Sequence, residues 1–401
     1  MDEIQIKKNI RIYMFYKFFI NMIIIGPIVT PFLLNKGLNY TQILSLQSVY
    51  AVTTFLFEVP TGVVADKFSR KLSLILAGIF IASGLSLYIL FDNFYLLALG
   101  EIIIGIGLTF SSGADSALLF ETLKGTEHEK EYSKYESKSV SYIFMGQGVG
   151  GVISSILFSM NDDNPYIMSV SFMILAMITA LYFIEPVREK TTDSYVSHVF
   201  ENTKNIFKSK IVLWLTLYSI FFGSCTVIGF FLYEPYFKTV NIAVPVYGVI
   251  FFVFNIIAAL SAKIYSKYYS GKSSIKILLF LTVIVFLSFI VPCMFMNIFI
   301  FPFITLQQIF RAIYGPVMKG VLNRNTQDKH RATMISTMSL LSSLAYAGAL
   351  PFLGMILDNR GSKYAYLVVG CIFGVFAMIL FFTSIRLKKA DLLSTLENES
   401  L

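Results

Sequence analysis

Long apolar runs separated by short polar turns make up most of this chain. Setting the runs against their breakers gives twelve segments, roughly 11–34, 42–65, 72–91, 94–114, 139–159, 166–184, 211–233, 246–266, 275–295, 298–318, 333–356 and 364–385. Each approaches the roughly 20 apolar residues that carry a helix across a bilayer. The longest connection, Pro186 to Lys210, falls between the sixth and seventh. It divides the chain into an N-terminal six-helix bundle (1–185), a linker (186–210) and a C-terminal six-helix bundle (211–401). Within the linker, Val196, Val199, Phe200, Ile206 and Phe207 recur at helical spacing with Lys204 and Lys208 between them. That pattern predicts either an amphipathic helix lying on the membrane surface or a loosely packed tether.

Composition agrees with the pattern. Of 401 residues, 56% are hydrophobic and 14% charged, and the mean hydropathy is +0.71. A soluble domain carries roughly 25% charge, so this chain cannot cover itself with a water-facing surface. The N-terminus is basic (Lys7, Lys8, Arg11), but the run that follows lacks a small-residue cleavage site and reads as a retained first span.

Charge sets the orientation. Assigning loops alternately to the two sides puts 26 of the 32 basic residues on the side of both termini and four (Lys36, Lys238, Arg360, Lys363) opposite, with Lys17 and Arg311 inside spans. By the positive-inside rule both termini are cytoplasmic, in a multi-pass protein of the plasma membrane. The same bias accounts for the net charge of +8, so no nucleic-acid partner is called for.

Several motifs lead nowhere. Cys225, Cys293 and Cys371 are isolated in apolar runs, and His128, His198 and His330 lie in separate loops, so no disulfide framework or metal set is implied. Gly146-Gln-Gly148-Val-Gly-Gly151 matches the dinucleotide fingerprint, but it lies inside a span rather than at a strand-to-helix turn. Close helix packing is its simpler use. Gly271-Lys272-Ser273 mimics the tail of a phosphate loop whose leading glycine is absent. No cofactor, metal pair or nucleophile with its base is found, which argues against an enzyme.

Ionisable groups inside spans are expensive and usually functional. Counting about 1.5 Å per residue, Glu58, Lys17 and Arg311 lie roughly 9–12 Å inside one boundary, and Glu101 lies a layer further out. Helical stripes gather polar groups around them: Glu101, Gly105, Leu108, Thr109, Ser112 and Asp115 in span four; Gln307, Arg311 and Tyr314 in span ten; Tyr13, Lys17 and Asn21 in span one. For Lys17, snorkelling to the interface competes with a role in a cavity. Glu101 is open to three roles: proton carrier, counter-ion for a cationic cargo, or hydrogen-bonded packing group.

The remaining signal is Gly62-Val-Val-Ala-Asp66-Lys67-Phe-Ser-Arg70-Lys71, preceded by Glu58-Val-Pro-Thr61. It resembles the signature loop of the major facilitator superfamily, with Ser69 where the pattern has its second glycine. Ser111-Ser-Gly-Ala-Asp115 after span four, and Asn323 with Arg331-Ala-Thr333 after span ten, resemble motifs of bacterial drug-efflux-like (drug/proton antiporter) members. The resemblance implies an all-α polytopic fold of twelve transmembrane helices in two six-helix bundles around a central cavity. It implies that spans one, four, seven and ten line the path, where the stripes fall. It also implies a cytoplasmic gate built from Glu58, Gly62, Asp66, Lys67, Arg70 and Lys71, reaching toward Thr333 at the start of span eleven. Ser69 should cost about 1 kcal/mol if the backbone there has positive φ. Many such antiporters carry an Arg in span four near the place of Glu101, so coupling through that Arg does not carry over.

The resulting expectation is a monomeric secondary transporter that exports a small apolar or amphipathic molecule in exchange for protons. The alternatives are uptake of a polar nutrient, which calls for more hydrogen-bonding groups on the stripes, and a membrane sensor that does not transport.

Overall fold

A computed structural model describes residues 1–186, 209–269, 275–325 and 328–399. Among these the chain is helical, without strands. Each of the twelve predicted spans is mostly helical, although the first and the fourth are broken. Nine stretches among the described residues are by themselves long and apolar enough to cross a membrane, with which a total of twelve is compatible. The linker helix expected around 196–207 and the 271–273 motif lie outside the described residues.

The chain divides into two compact units, Met1–Tyr195 with Ala243–Val253, and Val196–Ile242 with Phe254–Leu401. The first unit contains α1 (Glu3–Ile20), α2 (Val29–Asn35), α3 (Tyr40–Lys67), α4 (Arg70–Leu90), α5 (Phe94–Ser111), α6 (Ala114–Leu123), α7 (Tyr132–Met160) and α8 (Asn164–Leu181). The first predicted span, 11–34, is therefore not one helix. α1 starts earlier, its first turn closed by an Asp2–Gln5 capping box, and it stops at Asn21. The chain then runs through Pro27 into α2. Uniform hydropathy concealed this break, which arises where Asn21 turns its amide back onto the Lys17 carbonyl at 2.8 Å.

α4 is the hub of this unit, packed against α5 and α8, while α3 packs on α5. Small residues permit the approach: a Cβ on Gly84 would meet the Gly100 carbonyl at 2.7 Å and Ile104 at 2.6 Å. The Gly146–Gly151 run lies within α7, where a Cβ on Gly150 would meet Ile24 at 2.6 Å. Packing, not nucleotide binding, explains those glycines.

The second unit contains α9 (Lys210–Tyr218), a π-helical turn (Ser219–Gly223), α10 (Cys225–Thr239), most of α11 (Val244–Tyr269), α12 (Ile275–Met294), α13 (Phe301–Asn325) and α14 (Asp328–Glu399), which is interrupted at Gly361. α12 packs between α13 and α14. Gly361 adopts φ 78°, a left-handed conformation open to glycine at little cost, and it separates the last two predicted spans.

Candidate functional site

Span four is split where the sequence placed a Ser-Ser-Gly-Ala-Asp motif. Gly113, at φ 72°, ends α5 and starts α6, so Asp115 sits in the first turn of a new helix. Unpaired N–H groups and the helix dipole favour an anion there. Asp115 Oδ1 accepts the Ser116 N–H at 2.5 Å, and its Oδ2 accepts from Lys17 Nζ at 2.6 Å. Only 11% of the Lys17 side chain and 9% of the Asp115 side chain are exposed. Lys17 is thus held by a carboxylate inside the protein and does not snorkel. Around the pair, the Tyr13 hydroxyl donates to Glu136 Oε2 at 2.6 Å and the Ser116 hydroxyl donates to Glu136 Oε1 at 2.9 Å. The network joins α1, α6 and α7. Glu136 escaped the sequence reading because its charged neighbours resemble a solvated loop, whereas α7 begins at Tyr132 and carries it inward. At the rim, Lys134, His128 and Tyr135 hold the Glu131 carboxyl down at about 2.

Glu101 occupies a separate buried site between α3, α4 and α5. Its carboxylate accepts from Gln47 Nε2 at 3.0 Å and, through a short contact, from the Tyr88 hydroxyl. Tyr88 stacks on Tyr166 at 5.4 Å, which in turn stacks on Phe32 at 4.1 Å. With 6% of its surface exposed, Glu101 is enclosed within this unit. Among the described residues it pairs with no basic side chain. A polar residue in a span, Gln47, was visible in sequence, but nothing distinguished Tyr88 from the other 22 tyrosines. Nearer the α5–α6 break, the Ser112 hydroxyl donates to Glu58 Oε1 at 2.8 Å, which joins α3 to the end of α5.

The signature loop turns at Ser69. Ser69 has φ −163° and caps α4, its hydroxyl accepting the Leu72 N–H at 3.0 Å. The backbone is extended, so the missing glycine costs nothing. Glu185, which follows α8, then places its carboxylate on the same helix start. It accepts from the Ser69 hydroxyl at 2.7 Å and from the Arg70 and Lys71 N–H groups at 2.9 Å each. Arg70 reaches Glu121 of α6 at 2.9 Å and Asp66 at 3.4 Å, while Lys67 and Asp66 are exposed and, among the described residues, nothing beyond the local backbone of α3 lies within 4 Å of where a Gly62 Cβ would stand. The expected partner Thr333 lies in a helical stretch whose side chain is outside the described residues. Glu185→Ala should destabilise the protein by about 1–2 kcal/mol, the usual loss for a helix cap. Thermal unfolding in detergent reads this, and an unchanged midpoint would remove the capping role.

The second unit holds the span-ten group. Arg311 donates to Asn255 Oδ1 of α11 at 2.7 Å. Tyr233 of α10 donates to Gln307 Oε1 and accepts from Gln308 Nε2, both at 2.8 Å. Among the described residues, Gln307 Nε2 and Gln308 Oε1 are buried without hydrogen-bond partners. Tyr314 turns the other way, donating to Ser219 at 2.8 Å in the π-helical turn, a deviation frequent at functional sites. Glu234, 8% exposed, was overlooked because the predicted span stopped at 233.

The structure thus brings Lys17 and Asp115 together, and Ser112 and Glu58. Asn21 closes α1, Glu101 stands apart, and Gln307, Arg311 and Tyr314 take different partners.

The family model of the Major Facilitator Superfamily matches residues 15–301 and 225–398. The chain belongs to the major facilitator superfamily. As a member it is a membrane-embedded secondary transporter. It is 22% identical over 389 residues to the uncharacterized MFS-type transporter YxaM of Bacillus subtilis (strain 168), covering 92% of this chain and 94% of that one. It is 22% identical over 192 residues to the quinolone resistance protein NorA of Staphylococcus aureus, 47% of this chain and 48% of that one. Among solved folds, the nucleoside transporter NupG superposes with a TM-score of 0.76 at 14% identity, over 94% of this chain and 99% of that one. A bacterial homologue of the human lysosomal transporter Spinster, inward-facing and unoccupied, gives 0.70 at 16%, over 96% and 98%.

Proposed function

We propose that this transporter exports a small amphipathic molecule in exchange for protons, with both termini in the cytoplasm and residues 1–185 and 211–401 acting as the two repeats joined by 186–210. The observation that carries this reading is Glu101. A carboxylate enclosed among spans, hydrogen-bonded among the described residues only by the neutral Gln47 and Tyr88, can gain and lose a proton without breaking an ion pair. The partial similarity to a quinolone resistance protein supports the export direction. Lys17, Asn21, Ser112, Asp115, Gln307, Arg311 and Tyr314 are the proposed cargo path, and Glu58, Gly62, Asp66, Lys67, Arg70, Lys71 and Thr333 the gate. The protein acts as a monomer in the plasma membrane.

The test is purified protein in vesicles with an imposed pH gradient, screened against amphipathic drugs and dyes. Cargo-dependent proton flux with cargo moving against the proton movement is the expected result. Flux of cargo and protons in the same direction would overturn it in favour of uptake. The buried amide atoms of Gln307 and Gln308 without partners favour that second reading, because a polar solute could satisfy them.

A further inference from the structure

Between α1 and α7 the first unit opens a groove of about 560 Å³ that belongs to neither of its buried networks. Its walls grade from charged to apolar in the same direction on both helices. On α1, Lys7 and Arg11 stand at the terminal end, followed one and two turns inward by Phe15 and Phe18; on α7, Lys138 precedes Tyr142. Helical spacing of three and four residues keeps each series on one face. From Arg11 to Phe18 the floor extends about 10 Å at 1.5 Å per residue. Lys7 is engaged by Glu3 at 2.6 Å, and nearby Glu131 is engaged by Lys134 and His128. Among the described residues, neither Arg11 nor Lys138 has a carboxylate partner.

We infer that this groove is a binding site for an amphipathic anion, whose carboxylate or phosphate head lies on Arg11 and Lys138 and whose apolar body lies along Phe15 and Phe18. Two unpaired cations beside an aromatic floor match both ends of such a molecule. A guanidinium also offers paired donors that suit either oxyanion. Basic pockets between membrane helices bind anionic headgroups by the same chemistry, so the ligand can come from the lipid or from solution. The site goes beyond the export reading and requires neither its direction nor its coupling.

Purified full-length protein serves for the test. Dodecanoate binding, measured by ligand-induced thermal stabilisation, is compared with dodecanol, dodecyltrimethylammonium and inorganic phosphate. The expected order is dodecanoate well above all three. Arg11→Gln with Lys138→Gln should weaken dodecanoate about tenfold or more, the loss expected from removing charge-assisted hydrogen bonds. The charge-preserving pair Arg11→Lys with Lys138→Arg should retain most of the binding, which separates recognition from misfolding. Native mass spectrometry from phosphatidylcholine nanodiscs with and without phosphatidylglycerol identifies the source. Retained phosphatidylglycerol that dodecanoate fails to displace marks a lipid site, and its displacement marks a site open to soluble anions. Equal binding of the neutral, cationic and anionic amphiphiles, or undiminished binding in the Gln pair, would overturn the inference. Proton-driven transport can fail in vesicles while this binding persists, so the two readings fall separately.

Discussion

Asp115→Asn will destabilise the protein by about 3–5 kcal/mol, the loss typical of a buried ion pair stripped of one partner. The side chain keeps its shape, so the effect isolates charge. Lys17 is then left with its ammonium nearly enclosed and, among the described residues, no carboxylate in direct contact; what remains is the Glu136 carboxylate beyond Tyr13 and a weak contact 5.8 Å from the Tyr13 ring. Lys17→Met should cost less. The stranded carboxylate still has the Ser116 N–H and the first turn of α6, and a helix N-terminus stabilises an anion by roughly 0.3–1 kcal/mol. The double variant Lys17→Met with Asp115→Asn should recover part of the loss, because no unpaired charge remains. Denaturant or thermal unfolding in one detergent measures all four proteins as a double-mutant cycle. Simple additivity of the two single losses would show that the 2.6 Å contact contributes nothing as a pair.

Glu101→Gln will abolish proton-driven transport and spare cargo exchange. Glutamine is nearly isosteric, and its amide oxygen can still accept from Tyr88 and Gln47, so the packing of α3, α4 and α5 survives. What disappears is the ability to ionise, and with it the one buried carboxylate of this unit free of a basic partner among the described residues. The controls separate titration from architecture. Tyr88→Phe and Gln47→Leu each leave the carboxylate but remove a donor to its charged form. Hydrogen bonds to the ionised state bear on its proton affinity, so losing one moves the pH at which transport is half-maximal. A structural role alone would lower activity without moving that pH. Normal pH-driven transport by Glu101→Gln in vesicles would return the residue to packing.

The spans were legible because hydropathy and loop charge are local properties. A run of about 20 apolar residues reads as a span whatever surrounds it, but the short helix that starts after Gly113 falls where the pattern predicts only a connection. Family membership was legible for the same reason, since the signature loop is one contiguous segment. Depth within a span or a place on a polar stripe singled out Glu58, Lys17, Glu101, Asp115 and Arg311, and each has a polar partner in the structure. The partners themselves were not legible. Lys17 and Asp115 lie 98 positions apart, Ser69 and Glu185 are separated by 116, and Tyr13 and Glu136 by 123. Periodicity ranks faces within one helix and says nothing about which other helix turns its face toward them. The Ser69 position shows the difference most directly. As a sequence it was a lost glycine; in the fold it is an extended N-cap beneath a carboxylate delivered from the far end of α8. Local chain chemistry determined which stretches are long and apolar enough to cross a membrane. Only helix packing decided which charges neutralise each other inside it, because burial makes an unpaired charge costly and the nearest available counter-charge comes from wherever the fold brings it.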